Sequence, residues 1–228
     1  MKVAVMQPYL FPYLGYFQLI QAVDAFVVYD NVNYIRKGWI NKNFILANGK
    51  SQLVTLPLSG ASRNKLINEI QVKGDSKILK TIRYNYRKAP NFASVYPFVE
   101  AILATPERNL SLFLESQLRQ ICSLLELSPL WYVSSHLKEN KEYRGQAKIL
   151  SICRELGATH YINLPGGRGY YDREIFASSG LRLSFVEPRN VTYKQFGESF
   201  IPNLSIIDVL MFNKISECQK LLKEYDLQ

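Results

Sequence analysis

Two stretches near the start of the chain hold more chemistry-bearing side chains than a turn requires. In the first, Gln7 closes an apolar run, and Tyr9, Tyr13 and Tyr16 follow between Pro8, Pro12 and the next apolar segment. The second opens at Asp30 and carries Asn31, Asn33, Tyr34, Arg36, Lys37, Trp39, Asn41, Lys42 and Asn43. Amides, phenols and an indole at this density suit a ligand that has both hydroxyl groups and a flat ring. Asp30 is the candidate acid or base, because it ends an apolar run where burial disfavours its charged form, while Arg36 or Lys37 would favour it. Gln7, Asn41 and Asn43 are candidates for holding substrate hydroxyl or amide groups. Trp39 and Tyr9 are candidates for stacking on a ring, and Arg36 and Lys37 for meeting negative charge.

A third stretch, Pro165-Gly166-Gly167-Arg168-Gly169-Tyr170-Tyr171, follows a short strand expected over Thr159–Leu164, which carries Asn163 near its end. Gly166 and Gly167 leave backbone N–H groups open to an anion, and Arg168 adds a forked cationic donor; Asn163 and Tyr170 flank them. The spacing is neither GxGxxG nor GxxxxGK[ST], so it carries no nucleotide fingerprint. The alternative is a tight turn with a solvated arginine. His160 precedes this loop and is a candidate general base; the competing reading is a packed, hydrogen-bonded histidine inside a strand. Tyr193 and Gln195 open a further polar block that leads through Asn203 to Ser205, a natural helix N-cap, with Asp208 in the first turn behind it.

The elements that must position these groups follow from apolar periodicity. Val3–Met6 and Ala25–Tyr29 are unbroken apolar runs, as expected of strands buried on both faces, with a short helix over Leu14–Val23 between them. If the two strands are parallel, Gln7 and Asp30 both lie at carboxyl ends, where ligands bind in open α/β sheets. Asn48-Gly49 marks a hairpin between Ile40–Ala47 and Gln52–Leu58, and Ile67–Val72 alternates as a half-buried strand does, so the sheet is expected to gain an antiparallel part. Helices are expected over Lys77–Lys88, capped by Asp75 or Ser76, over 93–103, and over Ser111–Leu127. Strands at Leu130–Ser135, Thr159–Leu164 and Leu181–Val186 alternate with helices at Gly145–Leu156 and, capped by Asp172, up to Ser178. The last helix spans Ser205–Tyr225, with a break at Asn213 and Lys214. The fold class is thus α/β, a mixed and mainly parallel sheet with helices on both faces, as one domain over 1–228 with a helical subdomain at about 75–127.

Composition narrows the function. The 228 residues are 47% hydrophobic and 21% charged, with 15 Tyr and 12 Phe, as in a globular domain. The formal net charge is +9, which fits anionic or phosphorylated partners, but Lys and Arg are spread out rather than run together, which argues against nucleic acid. The three cysteines lie far apart with no CxxC, so a metal site is not expected and buried thiols in a reducing compartment are. No signal peptide or transmembrane run is visible, and the expected location is cytoplasmic. No cofactor is implied.

The block QPYLFPYLGYFQLI, the following YDNVNYIRKGWINKN, and later GATHYINLPGGRGYYDREIF and YKQFGESFIPNLSIIDVLMFN resemble the WbqC-like family over most of the chain. The resemblance implies a place in surface-polysaccharide or O-antigen synthesis. Taken with the basic balance and the glycine–arginine loop, it leads to an expected enzyme acting on a nucleotide-linked amino sugar, transferring an acyl or aminoacyl group from an acyl donor to the sugar amine. The alternatives are a glycosyltransferase or nucleotidyltransferase of the same pathway, or a non-enzymatic glycan-assembly protein. A metal-dependent glycosyltransferase would show a DxD pair, and the α/β nucleotidyltransferases an HxGH pair; neither is present in the sequence.

Overall fold

The computed structural model describes every residue except Asp75 and Glu139. The cap expected at Asp75 or Ser76 falls on Asp75 and the Ser76 side chain, outside the described residues. In chain order the elements are β1 (Lys2–Met6), α1 (Leu14–Gln21), β2 (Ala25–Val28), β3 (Lys42–Ala47), β4 (Lys50–Thr55), β5 (Leu58–Ser59), β6 (Gln71–Val72), α2 (Ser76–Tyr86), α3 (Phe92–Leu103) and α4 (Leu110–Leu124). They continue with β7 (Leu130–Val133), α5 (Gly145–Glu155), β8 (His160–Asn163), α6 (Arg173–Ser178), β9 (Arg182–Pro188), α7 (Ile206–Phe212), α8 (Ile215–Leu221) and β10 (Tyr225–Leu227).

Six strands form the central sheet in the order β10-β9-β8-β1-β2-β7. All neighbours are parallel except β10, which runs antiparallel to β9. The pleat splits each apolar run between two cores. Val3, Val5, Ala25 and Val27 join α5 and α6 on one face, through Ile149, Ile152, Cys153 and Phe176. Ala4, Phe26 and Val28 join α1, α4, α7 and α8 on the other. Winding starts at β1, moves through α1 to β2 and then to β7, and returns through α5 to β8 and β9. Crossovers of one hand in two directions must place α1 and α5 on opposite faces. The sheet is therefore doubly wound, and its order reverses between β1 and β8.

The 29–129 segment between β2 and β7 is an insertion. Its β3–β4 hairpin turns on Asn48 and Gly49, both at positive φ (49° and 70°), the conformation that Asn-Gly selects. Three expectations are corrected here. The antiparallel part of the central sheet is β10, whereas β3–β4 and β5–β6 are separate two-stranded ladders. Ile67–Val72 is a 3-10 turn over Ile67–Glu69 followed by the two-residue β6. Local capping won over alternation there: the Leu66 N–H donates to Glu69 Oε2 at 2.7 Å, and Asn109 Nδ2 donates to the Asn68 carbonyl at 2.7 Å. Helices α2 to α4 share the buried cluster of the α1 face. The expected last helix is α7, α8 and the strand β10.

Candidate functional site

A cavity of about 610 Å³ opens at the carboxyl edge of the sheet, at the reversal between β1 and β8. Met6 and Gln7 reach it from the end of β1, Tyr29 from the end of β2, and Asn163 and Leu164 from the end of β8. The loop after β1 adds Tyr9 and Tyr13, the loop after β2 adds Ile35 and Trp39, and the 3-10 turn Pro165–Tyr170 adds Gly166, Gly167 and Tyr170. Three large apolar side chains that most folds would cover, Ile35 (51% exposed), Trp39 (43%) and Tyr170 (78%), surround this one mouth. The first turn of α5, Gly145 and Gln146, lines another wall and has no capping side chain.

The loop after β1 is fixed by buried amides from distant elements. Gln117 of α4 accepts from the Phe11 N–H at 3.0 Å and donates to the Tyr9 carbonyl at 3.1 Å. Asn43 Nδ2 donates to the carbonyls of Leu10 and Phe11 at 3.2 and 2.8 Å. Ser205, which caps α7, also donates to the Phe11 carbonyl at 2.8 Å, and the Tyr16 hydroxyl donates to the Gln7 carbonyl at 2.8 Å. Phe11 is held at φ 39°, a left-handed conformation that a non-glycine residue keeps only when its surroundings impose it. The Gln7 side chain makes no hydrogen bond among the described residues and borders the cavity.

On the facing side, Asn163 accepts from the Leu164 N–H at 2.7 Å and donates to the hydroxyls of Tyr161 and Tyr171 at 2.9 and 3.1 Å. A Cβ on Gly167 would come within 3.1 Å of both Asn163 Nδ2 and Tyr171 Cε2, so only glycine lets this turn close onto the strand end without displacement. Burial raises the phenols of Tyr9 and Tyr171, and it pushes Tyr13 up to about 12, with Tyr9 adding to the rise.

Other candidates lie elsewhere. Arg168 turns away: it pairs with Glu187, donates to Gln228 Oε1 at 2.9 Å and lies over the Phe185 ring. Asp30 is buried (3% exposed), and its carboxylate accepts from Ser134 Oγ (2.9 Å), Ser135 N (2.9 Å), Ser135 Oγ (2.7 Å) and Asn68 Nδ2 (3.1 Å). It ties β2 to β7 and to the insertion, and it does not line the cavity. Asn41 is spent between the Tyr34 hydroxyl and the Leu56 carbonyl, and Asn43 on the loop described above. Arg36 and Lys37 are exposed, outside the lining. Gln195 and Tyr193 donate to the buried Asp208 at 2.6 and 2.7 Å, with Tyr86 at 2.8 Å. Burial raises the Asp208 carboxyl above its usual range, and the three donors partly oppose that. His160 pairs with Lys2 at the amino end of β1, so the length of β8 separates it from the cavity. Burial lowers its pKa, helped by Arg182, Lys2 and the N-terminus, as for a packed histidine.

Sequence reasoning passed over Tyr29, Gln146 and the start of α5, all of which line the cavity. It also missed Lys148, 2% exposed, whose amine donates to the Asn31 carbonyl at 2.8 Å and lies over the Tyr29 ring. Burial and Arg144 lower this lysine to about 8, against a pull upward from Asp30. Its signal was a cation on the apolar face of an amphipathic helix. Among the described residues, no cluster of His, Cys, Asp or Glu could hold a metal, and no helix is long and apolar enough to cross a membrane.

Fold and site define a doubly wound α/β protein with an aromatic-rimmed cavity at its switch point. Within that class the chain belongs to the WbqC-like protein family, whose profile matches residues 7–220. It is 30% identical over 232 residues to "Uncharacterized protein Rv1507c" of Mycobacterium tuberculosis (strain ATCC 25618 / H37Rv), with 97% of each chain covered. No solved structure matches it.

Proposed function

We propose that the protein is a transferase of surface-polysaccharide assembly that binds a nucleotide-linked amino sugar in the switch-point cavity and transfers an acyl or aminoacyl group to its amine. The observation that carries this reading is the position of the cavity: it opens where the strand order reverses, the place where doubly wound sheets bind nucleotide-type ligands. About 610 Å³ suits a ligand of that size. Trp39, Tyr9 and Tyr170 offer faces for a base or sugar ring, Gln7 an unengaged amide for hydroxyls, and the uncapped start of α5 a positive dipole end for phosphate. The reaction forms an amide bond at the sugar nitrogen, breaks the bond from the acyl carbon to its leaving group, and releases the amine proton.

A second reading has its own observation. The described lining of the cavity contains no carboxylate, imidazole, thiol or cation, and burial raises the phenols of Tyr9, Tyr13, Tyr29 and Tyr171 in it. Such a site favours holding a ligand over catalysing on it, as in a non-enzymatic assembly protein. Calorimetry with UDP-, dTDP- and GDP-linked amino sugars, followed by mass spectrometry with acyl donors, separates the two. Binding with turnover supports the transferase, and binding without turnover the second reading. Silence across the panel overturns both. Trp39→Ala should weaken binding by about threefold to tenfold, the scale of one aromatic stack of roughly 0.5–1.5 kcal/mol.

A further inference from the structure

The basic excess of the chain is not shared evenly, although no run of like charge marks it. Residues 31–99, most of the insertion, hold 12 of the 28 Lys and Arg but 2 of the 19 Asp and Glu, a net +10, and the rest of the chain carries −1. Between residues 31 and 68 there is no carboxylate side chain at all. This stretch passes the mouth of the cavity. Ile35-Arg36-Lys37-Gly38 is a tight turn, closed by the Gly38 N–H donating to the Ile35 carbonyl at 2.9 Å, with Arg36 and Lys37 exposed at its tip.

An apolar strip lies beside these cations. Ile35 is 51% exposed and Trp39 43%. Trp39 meets Phe44 of β3 with their ring centroids 5.5 Å apart. Phe44 pairs with Leu53 of β4, and directly opposed residues of a ladder share a face, so Leu53, 46% exposed, extends the strip. Lys42 lies on that same face, two positions before Phe44. On the other flank, the Tyr34 N–H donates to the Lys65 carbonyl at 2.9 Å, which brings the loop with exposed Arg63 and Lys65 alongside the turn. None of these five cations forms an ion pair among the described residues. The carboxylates that bracket the stretch in sequence are engaged: Asp30 is buried among its donors, and Glu69 accepts from the Leu66 N–H.

We propose that this face docks on an anionic lipid bilayer, with Ile35, Trp39 and Leu53 entering the headgroup layer and Arg36, Lys37 and Lys42 meeting the lipid phosphates. Aliphatic side chains and a tryptophan interleaved with cations are what a bilayer interface takes up: the apolar groups leave water while the cations gain from the negative surface. A nucleic acid would engage the cations and leave Ile35 and Leu53 in water. A second copy of the chain would bring like charge against like. Ile35 and Trp39 also line the cavity, so docking holds its opening at the membrane surface. The surface stands whether or not the transferase reading does.

The test is flotation of the full-length protein with vesicles of equimolar phosphatidylcholine and phosphatidylglycerol, and with phosphatidylcholine alone. Binding should be confined to the anionic vesicles, fall with added salt, and shift tryptophan emission to the blue. Trp39→Phe, which keeps Trp131, should abolish that shift. Arg36→Gln with Lys37→Gln should weaken binding about twentyfold, roughly fivefold for each cation at an anionic surface. Lys2→Gln with Arg182→Gln removes the same charge from the amino edge of the sheet, and should weaken binding by no more than about twofold. Ile35→Ser with Leu53→Ser should cost about tenfold. The positions changed in these pairs are all exposed, so the variants should fold, which melting curves check. A protein that ignores anionic vesicles in low salt, or binds phosphatidylcholine alone equally well, would overturn the proposal. So would equal losses in the two charge pairs, or a serine pair that binds like the wild type. Single-stranded RNA binding that needs Arg36 and Lys37, without vesicle binding, would assign the face to nucleic acid instead.

Discussion

The loops after β1 and β8 face each other across one cavity, and they are held by different means. Residues 7–13 have almost no structure of their own; Gln117, Asn43, Ser205 and Tyr16 hold their backbone from four other parts of the chain. Residues 165–170 fold locally into a 3-10 turn, held by Asn163 and the neighbouring tyrosines. Prolines in one and glycines in the other announce only that the chain turns. Rigidity comes from where buried donors and acceptors end up. One wall is imposed by the whole fold, and the other is built by its own short stretch.

The sharpest way to break this contrast is Gln117→Ala. It strands the Phe11 N–H and the Tyr9 carbonyl inside the protein, and it should cost about 2–4 kcal/mol in urea unfolding. A loss below about 1 kcal/mol would show that the first loop holds itself. Asp208 probes the same support from the other side, because its helix α7 begins at Ser205. Its carboxyl is raised in the folded state, so the native protein binds the proton more tightly than the unfolded chain does. The contribution is fully present below the unfolded value, near 3.8, and is lost as pH rises through the higher folded value. Asp208→Asn should flatten that fall in chemically induced unfolding followed across acidic pH, and an unchanged pH profile would mean that Asp208 is not its source.

Smaller effects are expected at the second loop. Gly167→Ala must move Asn163 or Tyr171 by a few tenths of an ångström, and should cost about 1–2 kcal/mol while disturbing ligand binding at the cavity. Arg168→Ala should have the smallest effect of all. It removes a surface ion pair worth less than about 1 kcal/mol and leaves cavity binding unchanged by calorimetry, since the guanidinium points to Glu187 and Gln228. A tenfold loss of nucleotide-sugar affinity in that variant would return the arginine to the site.

Much of this was legible from the residues alone. Continuous apolar runs at Val3–Met6 and Ala25–Tyr29 define doubly buried strands, Asn48-Gly49 defines a hairpin, and Asp172 and Ser205 define helix caps, because each depends on neighbours within a few positions. Family membership was legible in the same way, from long motifs in fixed order. Strand polarity was legible too, and it would have set His160 at the far end of β8 from Asn163.

Strand order was not written in any local pattern. It arises because α1 and α5 wind the chain in opposite directions from β1, and it creates the reversal where the cavity opens. Nor could spacing separate amides that face a ligand from amides that face the interior. Gln7 and Gln117 are the same residue type, yet one borders the cavity and the other is fully buried beneath a loop about a hundred positions away. A polar side chain becomes structural or available according to which unpaired backbone groups the tertiary fold brings beside it, and those groups come from the other end of the chain.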